Sequence, residues 1–272
     1  MGRLDGKIAV VTGAGSGNGR GMAVAFAQEG ADVVIADVDP AGMEETARLV
    51  KQQERQALVQ HCDVSKRDEV YRLIASAVEQ FGRVDVAVAN AGVAEQNTNC
   101  FEMTEAEWDR TVDINLKGVF FTLQAGANQM RAQGKGGRLI AIASIMAEWG
   151  SAATPAYCAS KGGVKQLVKS FAQAGGPLGI TCNGIGPGFI DTNMTVRLRE
   201  LPQVRDMLID RTPVGYIGDP ADVANVAVFL ASDESRFMNG TIVYPDGGIL
   251  AGNFSNTLRL AQETLRGQAT GQ

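Results

Sequence analysis

The sequence predicts an α/β protein: a doubly wound Rossmann fold with a parallel sheet of about seven strands flanked by helices. Three observations predict it. Short runs rich in Val and Ile alternate with longer amphipathic stretches along most of the chain. These short runs are almost continuously apolar, as befits strands of a parallel sheet covered on both faces. The first of them leads directly into a glycine cluster and then a helical pattern.

In chain order the expected strands are IAVVT (8–12), DVVIAD (32–37), ALVQHCD (57–63), VDVAVAN (84–90), GRLIAIAS (137–144), ITCNGI (180–185) and TIVYPD (241–246). Helices are expected between them, at 18–29, 40–53, 66–81, 105–132, 156–174 and 220–231. No repeat, low-complexity block or linker interrupts the 272 residues, so a single domain is expected over 1–272. Residues 189–214 break the rhythm. They lie between a strand and the next helix, where open α/β sheets bind ligands, and are expected to form a substrate lid. The tail at 249–272 is partly amphipathic (LRLAQETLR) and is expected to dock on a neighbouring subunit or to fray.

Composition narrows the function. A net charge of −5 argues against a broad basic surface, so no nucleic acid partner is expected. No apolar run approaches the roughly 18 residues of a membrane span, so no membrane partner is expected either. The apolar run near the N-terminus is too short for a signal peptide. Cys62, Cys100, Cys158 and Cys182 are far apart, which disfavours disulfides and zinc and suits a reducing, cytoplasmic setting. His61 is the sole histidine and the carboxylates lack ligand spacing, so no metal site is expected.

In TGAGSGNGRG, Gly13, Gly17 and Gly19 have the spacing G-x-x-x-G-x-G between a strand and a helix. Such a loop lets the backbone approach a pyrophosphate, which the free N–H groups and dipole of the following helix attract. Three glycines can also be a tight turn; the order strand, loop, helix favours the first reading. Asp37 ends the second strand, 18 residues after Gly19, where an acid can accept from an adenosine ribose diol and repel a 2′-phosphate. Neither Ser16 in the loop nor Val38 after the acid is basic, so NAD is expected rather than NADP. Asp63 and Val64 follow the third strand, where Asp63 can hold the adenine amino group. Asn90, Ala91 and Gly92 follow the fourth strand and can line the floor beneath the cofactor, although Asn and Gly are also ordinary turn residues.

Ser144 closes a strand, and Tyr157 and Lys161 follow on one face of a helix. Removing hydride from an alcohol carbon requires a base for the hydroxyl proton. A free phenol, with a pKa of about 10, needs positive charge nearby to serve as that base at neutrality. Lys161 supplies one charge and an oxidised nicotinamide a second. Lowering the phenol by about 3 units takes roughly 4 kcal/mol. Ser144 can hydrogen-bond the substrate oxygen. Without the serine and the glycine loop, Y-x-x-x-K is an ordinary surface pair. Read from its residue type alone, Asn115 is a plain polar residue in mid-helix.

Together, T12-G-A-G-S-G-N-G19, N90-A-G92, Asn115 in DINLKG, Ser144, Y157-C-A-S-K161 and P187-G-F-I-D-T192 resemble the classical short-chain dehydrogenase/reductase family over about residues 5–250. The resemblance implies an NAD(P)-dependent alcohol/carbonyl oxidoreductase, usually a homotetramer. It implies Tyr157 as general acid/base, Lys161 also holding the nicotinamide ribose, and Ser144 orienting substrate. It implies that Asn115 interrupts its helix and anchors a proton-relaying water. Pro187, Gly188, Ile190 and Thr192 would hold the carboxamide side of the nicotinamide. The sequence departs from the family at Asn18, where a bulky aliphatic residue is usual, although its backbone N–H can still face phosphate. It departs again in the glycine-rich stretch 172–184 and in the longer tail.

Substrate contacts are expected from Met146, Glu148 and Trp149 after Ser144, and from Asn193 and Arg197 in the lid. These residues suit a hydroxyl-rich molecule such as a sugar or polyol. The alternatives are a reductase of 3-oxoacyl thioesters or other ketones and, in a different class, a non-catalytic dinucleotide-binding redox sensor.

Overall fold

The computed structural model describes residues 2–95, 99–196 and 200–261. Among them, seven strands form one sheet: β1 (Ile8–Thr12), β2 (Asp32–Asp37), β3 (Ala57–His61), β4 (Val86–Ala89), β5 (Gly137–Ile142), β6 (Ile180–Ile185) and β7 (Ile242–Val243). Their order is β3-β2-β1-β4-β5-β6-β7 and every pairing is parallel. The chain therefore winds from β1 to one edge, returns to β4, and winds to the other edge. The reversal lies between β1 and β4, where a doubly wound sheet opens a crevice at its carboxyl end.

The helices are α1 (Gly17–Gln28), α2 (Pro40–Lys51), α3 (Arg67–Phe81), α4 (Glu105–Val112), α5 (Gly118–Gln133), α6 (Pro155–Gly175), α7 (Pro202–Asp210) and α8 (Pro220–Ala231). Strand alternation sorts the core into two layers. Val11, Val33, Ile35, Val88 and Ile140 face Met22 and Phe26 of α1, Met43 of α2 and Val228 of α8. Val10, Val34, Ala87 and Leu139 face Leu73 of α3, Leu123 of α5 and Val164 of α6. Helix starts follow local chemistry: Thr104 with Glu107, and Asp219 with Asp222, make capping boxes at α4 and α8.

Two expectations are revised. The segment 105–132 is not one helix: a π-helical stretch, Asp113–Lys117, separates α4 from α5. The tail does not simply fray from its start. Ser255 and Thr257 donate to the Asp210 carboxylate at 2.7 and 2.6 Å, tying the tail to the end of α7 in the same chain. Residues 262–272 lie outside the described residues.

Phe26 is fully buried between α1 and the sheet. Phe26→Ala is expected to lower unfolding free energy by about 3–5 kcal/mol in equilibrium urea titration. A loss below about 1 kcal/mol would contradict this packing.

Candidate active site

The cleft begins where β1 and β4 part. Gly13, immediately after β1, has φ +64° and Gly17 has φ +50°, both in the left-handed region. A Cβ on Gly13 would lie 2.6 Å from Ala91 Cα, and one on Gly19 would lie 2.0 Å from the Gly13 carbonyl oxygen. These two glycines are thus demanded by the protein's own packing against the loop after β4. That loop is clamped. Asn90 Nδ2 donates to the carbonyls of Thr12 and Gly13 at 2.8 and 3.0 Å. The Thr12 hydroxyl accepts from the Asn90 amide at 3.0 Å and donates to the Val88 carbonyl at 3.1 Å.

At the far end of the cleft Asp37 accepts from the backbone amides of Gly15 (2.8 Å), Val38 (2.7 Å) and Asp39 (3.1 Å). Val38 is exposed beside it. The glycine loop, Asp37, Val38, Asp63, Val64 and Asn90–Gly92 line one continuous cavity of about 300 Å³. Asp63 spends Oδ1 on the Ser65 hydroxyl at 2.7 Å and pairs through Oδ2 with Lys66 at 3.3 Å. An adjoining cavity of about 120 Å³ shares Asn18, Asn90, Gly92 and Thr192 and adds Ser144, Tyr157, Lys161, Pro187, Gly188 and Ile190. The structure thus brings the expected cofactor residues together with Ser144, Tyr157 and Lys161 in one cleft, while Asn115 lines neither cavity.

Ser144 follows β5 in extended conformation, and its Oγ accepts from the Met146 amide at 3.1 Å. Tyr157 and Lys161 lie on the first turns of α6. Lys161 is 3% exposed; its Nζ donates to the Ile142 carbonyl at 2.8 Å and sits 5.5 Å from the centre of the Tyr157 ring. Burial pulls the ammonium down to about 8. Burial pushes the Tyr157 phenol up, and a hydrogen bond with Ser144 opposes that push. In the protein alone, then, desolvation outweighs the Ser144 hydrogen bond and keeps the phenol protonated. Asn115 is fully buried in the π-helical stretch, with Oδ1 accepting from Val93 N at 2.8 Å and Nδ2 donating to Val93 O at 2.9 Å. π-Bulges of this kind concentrate at functional sites.

The residues expected to touch substrate are dispersed. Glu148 is held by Lys165 at 2.6 and 2.7 Å and by the Tyr244 hydroxyl, which leaves it committed to an ion pair. Trp149 stacks beneath Arg211, 5.4 Å away, and with Glu148 lines a separate cavity that includes Phe254. Neither residue lines the cavity around Ser144 and Tyr157. Asn193 lines the glycine-loop end of the cleft, and Met146 is partly buried next to Ser144. Arg197 lies outside the described residues. Sequence reasoning missed Thr195 and the clamping role of Thr12; Met194 and Thr195 line the cleft, and Thr195 Oγ1 donates to Ile190 O at 2.6 Å. Only Thr12 carried a signal, as a hydroxyl at a strand end directly before the glycines.

A nicotinamide dinucleotide fits these residues. Asn18 Oδ1 is buried in the cleft without a hydrogen-bond partner in the protein. Ser16, at the N-cap of α1, makes no side-chain capping bond, leaving that helix start open to an anion.

Comparison with known proteins agrees with this geometry. The family described as enoyl-(acyl carrier protein) reductase matches residues 13–250. The 2-dehydro-3-deoxy-D-gluconate 5-dehydrogenase of Escherichia coli (strain K12) is 40% identical over 249 residues, covering 91% of this chain and 97% of its own. A 3-oxoacyl-(acyl-carrier-protein) reductase of Thermotoga maritima is 34% identical over 91% of this chain and 99% of its own. Carveol dehydrogenase from Mycobacterium avium, solved with NAD, superposes with TM-score 0.89 at 32% identity, covering 93% of this chain and 100% of its own. A structure from Agrobacterium tumefaciens described as a 2-deoxy-D-gluconate 3-dehydrogenase, with bound NADP, gives TM-score 0.86 at 34% identity over 92% and 98%. With sequence and fold matched over most of its length, the chain belongs to the short-chain dehydrogenase/reductase family of oxidoreductases.

Proposed function

We propose that this enzyme is an NAD-dependent oxidoreductase interconverting a secondary alcohol and a ketone, or a lactol and a lactone, on a hydroxyl-rich small molecule such as a sugar or polyol. The observation that carries this reading is the convergence of Ser144, Tyr157 and Lys161 in a cavity continuous with the glycine loop. The dinucleotide, when bound, supplies the hydride acceptor or donor and, when oxidised, a positive charge.

The chain's own residues handle the proton. Tyr157 takes the hydroxyl proton of an alcohol, or gives one to a carbonyl oxygen. Ser144 hydrogen-bonds the same oxygen and holds the phenol in line. A pKa of about 8 leaves Lys161 mostly charged at neutral pH. The Lys161 charge, 5.5 Å from the centre of the Tyr157 ring, favours phenolate. Burial works against it, so the base form of Tyr157 depends on a second positive charge. Gly13, Ser16, Gly17, Asn18 and Gly19 would cradle the pyrophosphate, and Asp37 and Val38 the adenosine ribose. Asp63 and Val64 would face the adenine, Asn90–Gly92 the floor. Pro187, Gly188, Ile190 and Thr192 would hold the carboxamide side, with Lys161 on the nicotinamide ribose. Asn115 would keep the π-helical backbone in place for the proton relay.

Two observations support a sugar. Two relatives are named for gluconate derivatives. Asn18, Asn90, Ser144, Thr192 and Thr195 give the cavity a polar lining. The thioester alternative is supported by the Thermotoga maritima relative. Preference for NAD is supported by Asp37, which presents an anion where a 2′-phosphate would lie, and by the non-basic Ser16 and Val38. No helix among the described residues is long and apolar enough to cross a membrane. A cytoplasmic homotetramer is supported by four free cysteines and by exposed apolar groups such as Phe101, Trp108 and Phe237. Residues 189–214 would act as the lid.

A substrate panel of sugars, polyols and acyl thioesters, followed by NADH absorbance, tests the reading. Tyr157→Phe is expected to lower kcat by about 10²–10⁴-fold while leaving dinucleotide binding within about threefold. A Phe variant with wild-type turnover would remove Tyr157 from the chemistry; oxidation of no sugar or polyol would remove the substrate class. Asp37→Ala combined with Val38→Arg is expected to shift preference towards NADP by about tenfold or more in kcat/KM. Native preference for NADPH would contradict the reading of Asp37. Light scattering should give a mass four times that of the chain; a monomer would contradict the tetramer.

A further inference from the structure

We propose that Glu95 is a positioning residue. From the loop after β4 it grips the first turn of α6 and so fixes the phenol of Tyr157 relative to the cofactor side of the cleft. The inference rests on the reading of Tyr157 as general acid/base.

The first turn of any helix carries amides with no intrahelical partner. At α6 the N-cap Thr154 makes no side-chain capping bond. The cap comes from elsewhere: Glu95 Oε1 accepts the backbone N–H of Tyr157. Glu95 lies 62 residues before Tyr157, so this contact sets the position of the helix against a distant loop. It adds an anion at the positive end of the helix dipole.

The loop is itself fixed at two other points. Asn90 ties it to Thr12 and Gly13, and Asn115 closes a pair of hydrogen bonds on Val93. Six residues, 90–95, thus join the glycine loop, the π-helical stretch and the start of α6. Glu95 is their only side-chain link to α6 among the described contacts, and it binds the amide of Tyr157 itself. The placement is costly. Oε2 is buried without a partner, and burial pushes the carboxyl up, with the backbone of Tyr157 and Ala156 opposing and Glu107 adding to the push. A glutamate retained there serves its contact with the helix rather than solvation.

The test compares wild type, Glu95→Ala and Glu95→Gln as full chains. Gln keeps one acceptor for the Tyr157 amide. Amide hydrogen exchange reads the contact directly. In Glu95→Ala, residues 156–158 are expected to exchange about tenfold faster or more, with β1 and β4 unchanged and Gln restoring protection. With a substrate that wild type turns over, kcat is expected to fall about tenfold or more in Glu95→Ala, KM for the dinucleotide to stay within about threefold, and Gln to recover most of kcat. Unchanged exchange overturns the contact, and faster exchange with unchanged kcat overturns the positioning role. Parallel losses in kcat, KM and strand protection, unrescued by Gln, mark a general structural role and also overturn it. If wild type turns over no alcohol or ketone, the reading of Tyr157 falls and takes the catalytic purpose of Glu95 with it; exchange alone still decides the grip on α6.

Discussion

The carboxamide of Asn90 is the contact on which the cleft depends. β1 and β4 are neighbours, but the chain leaves them towards opposite edges of the sheet. Peptide groups at the parting lose their ladder partners and must find others. Asn90 Nδ2 meets two of those carbonyls, and the Thr12 hydroxyl meets the amides of Asn90 and Ala91. Leaving one such buried group unpaired costs about 1–3 kcal/mol. The absence of side chains at Gly13 and Gly19 lets the two loops approach closely enough for these bonds. Glycine loop, threonine and asparagine are one packed unit, and the floor of the cleft is held by it.

Stability is given up elsewhere in the same cleft. Lys161 lies at about 8 instead of 10.5, and at about 1.36 kcal/mol per unit its charged form costs about 3 kcal/mol. The unfolded chain binds more protons than the folded one between about pH 8 and 10.5. This group's penalty is therefore full below pH 8 and is relieved as pH rises through that window. The Ile142 carbonyl offsets part of the loss. Tyr157 moves the other way, also by burial. Both shifts disfavour charge, so the protein alone keeps the phenol protonated, as a proton donor to a carbonyl must be. Such opposed shifts in a cleft mark sites where chemistry, not folding, selects the residue.

Much of this was legible in the sequence. β1, β2 and β6 fall at their expected bounds because their apolar runs are cut sharply by turn residues. β3, β4, β5 and β7 are shorter than expected: Asp63, Asn90 and Ser144 have already left the ladder to face the cleft, and residue type does not reveal where pairing stops. Apolar periodicity runs on through 113–117; the break there comes from Val93, 22 residues upstream, and only family resemblance pointed to it. Nearness to Ser144 suggested that Glu148 meets substrate. Tyr244, 96 residues further on, claims it instead. Glu95 carried no signal, because its partner is a backbone amide of a distant helix.

Asp210 is the last residue of α7, where exposed carbonyls make a carboxylate unwelcome. Donors from Ser255 and from the Thr257 amide and hydroxyl surround it and hold its carboxyl below the usual range. The register of any C-terminal truncation therefore matters more than its length. A chain that continues some residues past Thr257 keeps these donors on the anion; one that stops before Ser255 leaves the carboxylate bare against the negative pole, and the final turn of α7 has reason to unwind.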